Sequence, residues 1–269
     1  MEVNVTTVYL DDRKEPFKLI PIGDIHYGNR GCNKKYALKL RDWIVNSENT
    51  AVIGMGDYGD FITHQDRKRF EWEEIEEELF RDGFEERTLV EKQFHWIKDF
   101  FEPIADADKL LGLHYGNHDS SIKKRHHWDI VRTLCDELDV PYLGWEALTK
   151  IKWSRNQFHR KGVTLLTTHG WGSASRIGGK ANKLSELFLH ARADIYLMGH
   201  VHVKDVHVVG QFELHGSKVV KKKKVFGLTG TFLDDALYAR HKGYQPVMPG
   251  TLRIDIYPQK THVDIHARV

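Results

Sequence analysis

The run LLGLHYGNHD, residues 110–119, sets an apolar segment directly against an amide, an imidazole and a carboxylate. Its first half reads as a buried strand, and Gly116-Asn117 as the turn that ends it. A turn has no need of His118 and Asp119 packed straight behind its asparagine, so the reading depends on what ends the other apolar runs. Four of them end in the same residue types. KLIPIG leads into Asp24 and His26, AVIGMG into Asp57 and then Asp60, TLLTTHG contains His169, and IYLMG leads into His200 and His202. Asp and Asn favour turns and caps on their own account. Five strand ends restricted to carboxylate, imidazole and amide are more than turn chemistry supplies.

Helical periodicity fills the intervals. KKYALKLRDWIVN puts Tyr36, Leu40, Trp43 and Ile44 on one face, WDIVRTLCDELD does so with Val131, Leu134, Cys135 and Leu138, and KANKLSELFLHARA reads as a further helix. Between residues 65 and 101, the stripes Trp72, Ile75, Leu79 and Val90, Phe94, Ile97, Phe101 predict two helices broken at Gly83, a candidate helical cap. VNVTTVYL and FKLIPIG are strands joined by the polar turn DDRKEP. From residue 203 to 269 the chain is strand-rich, with VHVVGQFEL, KKVFGLTGTF and a closing hairpin around Pro258-Gln259-Lys260. No Pro- or Gly-rich linker divides it. Strands that alternate with helices and close in hairpins predict one α/β domain over residues 1–269, built on stacked sheets. Loops at the carboxyl ends of strands converge in such folds, so the five ends can meet in space.

Composition narrows the function classes. Of 269 residues, 41% are hydrophobic and 11% aromatic, enough for a sizeable core. Lys plus Arg number 40 and Asp plus Glu 38, so a net charge of +2 does not by itself point to nucleic acid. Cys32 and Cys135 form no CxxC pair and no disulfide framework, which predicts a reducing, cytoplasmic setting. The N-terminus lacks the basic start and apolar core of a signal peptide, and no apolar stretch reaches bilayer length, so no membrane partner is expected. Histidine stands out at 17. With thiolate absent from the candidate set, any metal is held by nitrogen and oxygen, a mixture suited to Mn, Zn or Fe. Asp24 with His26, and His200 with His202, share one face wherever the chain is extended. The donors are too many for one tetrahedral ion and suit two ions sharing a carboxylate, which can activate water for displacement at phosphorus.

The ordered series GDIH, GDYGD, GNHD, THG and GHVH, spanning residues 23 to 202, closely resembles the calcineurin-like metallophosphoesterase family. The resemblance implies a four-layer α/β/β/α sandwich with two divalent metals at the carboxyl ends of the strands, Mn first, with Zn, Fe or Ni as alternatives. It implies that Asp24, His26 and His202 hold one ion and Asn117, His169 and His200 the other, with Asp57 bridging. His118 takes the place of the catalytic histidine that protonates the leaving oxygen, and Asp60 that of the carboxylate orienting it. The activity implied is hydrolysis of phosphodiesters, and of some monoesters, in a small phosphate-ester substrate by a metal-held hydroxide. GDYGDFI and GNHDSS depart from the GDxxDRG and GNHE of the protein phosphatases, which argues against that branch and leaves Asp119 to cap a helix or support the site from behind. A DNA or RNA nuclease of the same chemistry is the alternative, which would need a basic groove. A non-catalytic scaffold is disfavoured because His118 and Asp60 are both present.

Other motifs have plainer readings. His114 is expected in the core or at a strand edge. KKRHHW, residues 123–128, reads as a solvated helix start, with contact to a substrate phosphate as the alternative. KVVKKKK, 218–224, reads as a charged hairpin or edge strand rather than a nucleic-acid track. WGSASRIGGKANKL reads as a loop entering a helix, with Arg176 or Lys180 as candidate anion contacts.

Overall fold

The apolar runs pair into two six-stranded sheets in the computed structural model, which describes residues 1–9, 15–66, 70–81, 86–155, 158–172, 176–234, 246–258 and 264–268. The first sheet runs, edge to edge, β12 (Asp264–Arg268), β11 (Arg253–Tyr257), β2 (Phe17–Ile22), β3 (Thr50–Gly54), β4 (Leu110–His114) and β5 (Tyr142–Gly144). Its β2 to β5 are parallel, and β11 and β12 form the antiparallel closing hairpin. The turn residues Gln259 and Lys260 expected there lie outside the described residues. The second sheet runs β1 (Glu2–Tyr9), β6 (Glu146–Arg155), β7 (Phe158–Thr168), β8 (Ile195–Met198), β10 (Lys218–Thr229) and β9 (Lys204–His215).

The sheets pack face to face through one apolar cluster, in which Leu19, Ile53 and Leu111 of the first meet Ile151, Leu165, Ile195 and Leu197 of the second. All five residues of β3 and of β4 are buried, as parallel strands covered on both faces require. On its other face the first sheet carries α1 (Lys34–Asn46), α2 (Glu86–Asp106), α3 (Asn117–His126) and α4 (Ile130–Leu138), with Ile22 and Val52 packed among Ile44, Phe94, Ile97 and Leu134. The second sheet meets α5 (Ile177–Glu186) through Leu184, Tyr196, Met198 and Phe226. The protein is an α/β sandwich. His114 is a core histidine: its ring lies 3.0 Å from the Gly144 carbonyl and 2.7 Å from Thr167 Oγ1 in the opposite sheet, and burial pushes its pKa down to about 4. Among the described residues no helix is long and apolar enough to cross a membrane.

Two expectations need correction. The stripe Trp72, Ile75, Leu79 is not an α-helix but two short 3-10 turns, Trp72–Glu74 and Glu77–Leu79, while Gly83 lies outside the described residues. In an α-helix the glutamates of EWEEIEEEL would repel at i,i+3 and i,i+4 spacing. Instead the segment lies along residues 27–30, where Arg30 N donates to Glu74 O, Glu76 N donates to Gly28 O, and the Tyr27 hydroxyl bonds Glu78. Both expected N-terminal strands form, β1 pairing with β6 in the second sheet and β2 lying in the first. KKRHHW marks the end of α3, not a helix start: Arg125 pairs with Asp66 at 2.8 Å, Lys123 with Asp129 at 2.7 Å, and His127 closes the helix in the left-handed conformation. The strands β5 and β6 are ones that the sequence reading does not anticipate. The basic run 218–224 does form a hairpin arm on the edge strand β9, and Lys224 is buried between Asp194 and Glu213.

Candidate metal centre

Side chains from the ends of β2, β3 and β4 in one sheet and β7 and β8 in the other meet at short range. His202 Nε2 lies 3.2 Å from Asp24 Oδ1 and 3.1 Å from His26 Nε2. Beside them, His169 Nε2 lies 3.2 Å from Asp57 Oδ2. The amide oxygen of Asn117 sits 3.2 Å from His169 Nε2, 3.3 Å from Asp57 Oδ2 and 2.8 Å from His200 Nδ1. Three overlapping groups result, Asp24–His26–His202, His26–Asp57–His118 and Asp57–His169–His200, each with its ligand atoms within 4.8 Å of one another. Asp57 belongs to two of them. All seven residues expected to bind metal are therefore together, with His118 next to them.

The atoms that converge are lone-pair atoms, which tests the fit to a cation. His169 Nδ1 is 2.8 Å from the Met55 carbonyl, so that nitrogen carries the hydrogen and Nε2 presents its lone pair to Asp57 and Asn117. His26 Nδ1 is 3.1 Å from Asp60 Oδ1, which likewise turns the Nε2 lone pair toward Asp24 and His202. Asp24 Oδ1 is buried without a hydrogen-bond partner. Hydrogen bonding alone would turn the Asn117 amide so that its NH₂ faced His200, His169 and Asp57; a cation in their midst calls for the oxygen. A nitrogen- and oxygen-only set of this kind suits hard to borderline divalent ions.

Without such a cation the charges balance by proton uptake. Burial would lower the His26 imidazolium, but Asp24 and Asp60 overcome it and hold its pKa up to about 10. Burial likewise opposes the charge on His169, and Asp57 raises it to about 9. Burial would raise both Asp24 and Asp57, yet the neighbouring histidines hold them below the usual carboxylate range. His200 goes the other way, to about 4, because burial and His169 both disfavour its protonation.

The backbone at these strand ends is unusual. Asp24, His26, Asp57, His200 and His202 all have positive φ, between 48° and 68°. The one-residue pairs are therefore not extended, and their side chains converge because each strand end curls through the left-handed region. Glycines let the curls touch. A Cβ on Gly116 would lie 2.1 Å from Asp57 Oδ1, and one on Gly56, at φ +89°, would lie 2.6 Å from Gly116 N.

Asp119 both caps and supports. Its Oδ2 accepts from Gly116 N and from Asp57 N, each at 2.7 Å, so it fixes the first turn of α3 and the backbone of the shared carboxylate together. Burial and the nearby Asp57 push its own pKa up to about 7. Asp57 Oδ1 in turn accepts from His118 N at 2.8 Å. The Asp60 carboxylate is nearer to His26, at 3.1 Å, than to His118 Nδ1, at 3.6 Å; its backbone carbonyl is what accepts from His118 Nδ1, at 2.5 Å. Asp60 thus orients a metal-site histidine with its side chain and His118 with its main chain.

Supporting groups that carried no sequence signal include Thr231, whose hydroxyl donates to Asp24 O at 2.8 Å, and Asn29, 3.4 Å from Asp60 Oδ2. Lys180, a candidate anion contact, donates to Val201 O at 2.9 Å and so anchors the loop between His200 and His202. Arg176 is exposed at the start of α5. Neither a protein-family model nor a curated protein sequence matches the chain.

Proposed function

We propose that the protein is a metal-dependent phosphoesterase of the calcineurin-like kind, hydrolysing phosphodiesters and some monoesters of small substrates. The observation that carries this reading is the convergence, from five strand ends, of buried carboxylate, amide-oxygen and imidazole-nitrogen atoms that could serve as metal ligands, Asp24 Oδ1 among them without a hydrogen-bond partner. The helices outside each sheet support the finer architecture, a four-layer α/β/β/α sandwich with its metals at the strand ends.

Asp24, His26 and His202 would hold one divalent ion and Asn117, His169 and His200 the other, with Asp57 shared; Mn is the first choice. Such ions, when bound, supply Lewis acidity that activates water and neutralises charge on the phosphate. The chain's own residues do the rest. His118, whose Nδ1–H is tethered to the Asp60 carbonyl, would act in its imidazolium form, with a second, transferable proton on Nε2. As water adds at phosphorus and the P–O bond to the leaving group breaks, that proton passes to the leaving oxygen. Asp60 and Asp119 keep His26, His118 and Asp57 in place.

The test is metal analysis combined with turnover of bis(p-nitrophenyl) phosphate. Reconstituted protein should hold close to two Mn per chain and hydrolyse the diester. Asp57→Asn should lose both properties. His118→Ala should lose rate, by about 10²–10⁴-fold for a general acid, while keeping its metal. A protein that takes up no divalent ion, or an active Asp57→Asn variant, overturns the proposal.

A further inference from the structure

Beside the candidate metal centre lies an open cleft of about 760 Å³, within the ordinary size range of ligand pockets. Its walls are aromatic. Tyr115, Tyr142 and Trp145 form one group, with Tyr115 and Tyr142 near parallel at 6.1 Å and Tyr115 and Trp145 at 5.6 Å. Trp171 forms another wall, stacked on His190 at an interplanar angle of 3°. Arg132 lies over the Tyr142 ring at 4.0 Å, and Glu146, 2.7 Å from His190 Nδ1, adds a carboxylate.

This cleft adjoins the candidate ligands through residues next to them in the chain and through one ring contact. Tyr115 stands two residues before Asn117, and Trp171 two residues after His169. The Trp145 ring meets the His169 ring edge-on at 5.2 Å, and its carbonyl accepts from His169 N. The cleft's aromatic walls thus adjoin the residues that flank Asn117 and His169, the position a substituent on a phosphate bound there would occupy in this proposal.

We infer that the cleft is a nucleobase subsite, so that the natural substrate joins a nucleoside to the scissile phosphate. The proposal rests on the phosphodiesterase reading and names its substrate class. Aromatic faces bind any base by stacking, with little regard to sequence. The edge groups sort the alternatives. Glu2 and Glu146 repel a second phosphate and accept from the amino edge of a base, while Arg132 donates to its carbonyls. A lipid or plain alkyl substituent would make no use of these charged groups, whereas a base has donors and acceptors on its rim and two apolar faces.

The experiment compares two esters with the same leaving group, thymidine 5′-(p-nitrophenyl phosphate) and methyl p-nitrophenyl phosphate, in Mn-loaded protein. A second arm follows the indole N–H signals of Trp145 and Trp171 in metal-free protein during titration with thymidine 5′-monophosphate, with inorganic phosphate as the control. The nucleoside ester should be favoured about ten-fold or more in kcat/KM, and Trp171→Ala should cut that ratio about ten-fold. Arg132→Ala, at an exposed side chain, should cut it in the same direction and serves if the tryptophan variant does not fold. Both indoles should respond to the nucleotide and not to phosphate. Equal kcat/KM for the two esters with silent indoles overturns the subsite and leaves the phosphodiesterase intact. Responsive indoles with neither ester hydrolysed keep the subsite and sink the enzyme reading. Silence in both arms overturns both. A single-stranded oligonucleotide that binds tighter than the mononucleotide identifies a strand end as the source of the base; equal binding identifies a small nucleotide ester.

Discussion

Replacing Asp119 separates its two tasks. In metal-free protein, Asp119→Ala would strand two buried donors, Gly116 N and Asp57 N, each now 2.7 Å from the same carboxylate oxygen. A buried donor left unsatisfied costs about 1–3 kcal/mol, so the pair should cost about 2–6 kcal/mol. Asp119→Asn keeps an acceptor for both donors and removes a charge that burial and Asp57 disfavour. The sign follows from linkage. A carboxyl raised to about 7 in the folded state binds a proton that the unfolded chain has already released, so its presence lowers stability as pH rises from about 4 to 7. The Asn variant escapes that loss. Urea denaturation at pH 5 and pH 8 is the assay. Asp119→Ala should be much less stable than wild type at both, while Asp119→Asn should track wild type at pH 5 and exceed it at pH 8. An alanine variant within about 0.5 kcal/mol of wild type, the range of an ordinary surface change, would refute the reasoning. So would an Asn variant as damaged as the alanine one.

Metal uptake should release protons, because His26 and His169 carry them in the ion-free site with pKa values of about 10 and 9 and must give them up to coordinate. Titration calorimetry in buffers of different ionisation enthalpy at pH 7.5 should report net proton release, and affinity should climb with pH toward 9; pH-independent affinity would contradict this assignment. In the ion-free protein the same two histidines contribute stability that is present below about pH 6.5 and lost as pH rises through 9 to 10, so alkaline denaturation should come earlier without metal than with it. Gly116→Ala should displace Asp57, since the new Cβ would fall 2.1 Å from Oδ1, and metal analysis should show the loss. Because the ligands come from both sheets, Mn at 100 times its Kd should add about 2.7 kcal/mol of stability, visible as a higher melting temperature that chelation reverses.

Much of this was legible in the sequence because parallel strands buried on both faces leave unbroken apolar runs. KLIPI, AVIG, LLGLH, TLLTT and IYLM are such runs, and each one's end could be found by inspection. The site residues followed, since every one of them lies within four residues of such an end or, for Asp60, a little beyond. What was hidden depended on three-dimensional neighbours. EALTKIKW alternates Lys150 and Lys152 with Ile151 and Trp153, a half-buried pattern that β1 and β7 complete from both sides. The stripe at residues 72–79 has spacings of three and four that serve a pair of 3-10 turns as well as an α-helix. That Asp60 turns its carboxylate to His26 could not be read from spacing, because 34 residues separate them.

The left-handed backbone at the strand ends bears on how this sequence could change over time. Outside glycine, Asp, Asn and His are the residues that most readily adopt that conformation. At Asp24, His26, Asp57, His200 and His202 the curl and the proposed metal would therefore select the same amino acids. A descendant that had stopped binding ions would still be held to Asp, Asn, His or Gly there by conformation alone. Asn117, His118 and His169 have ordinary φ values, so no such second pressure preserves them. If the proposed chemistry holds, they are the positions at which its loss would be written first, because nothing in the backbone would hold them to their present residues.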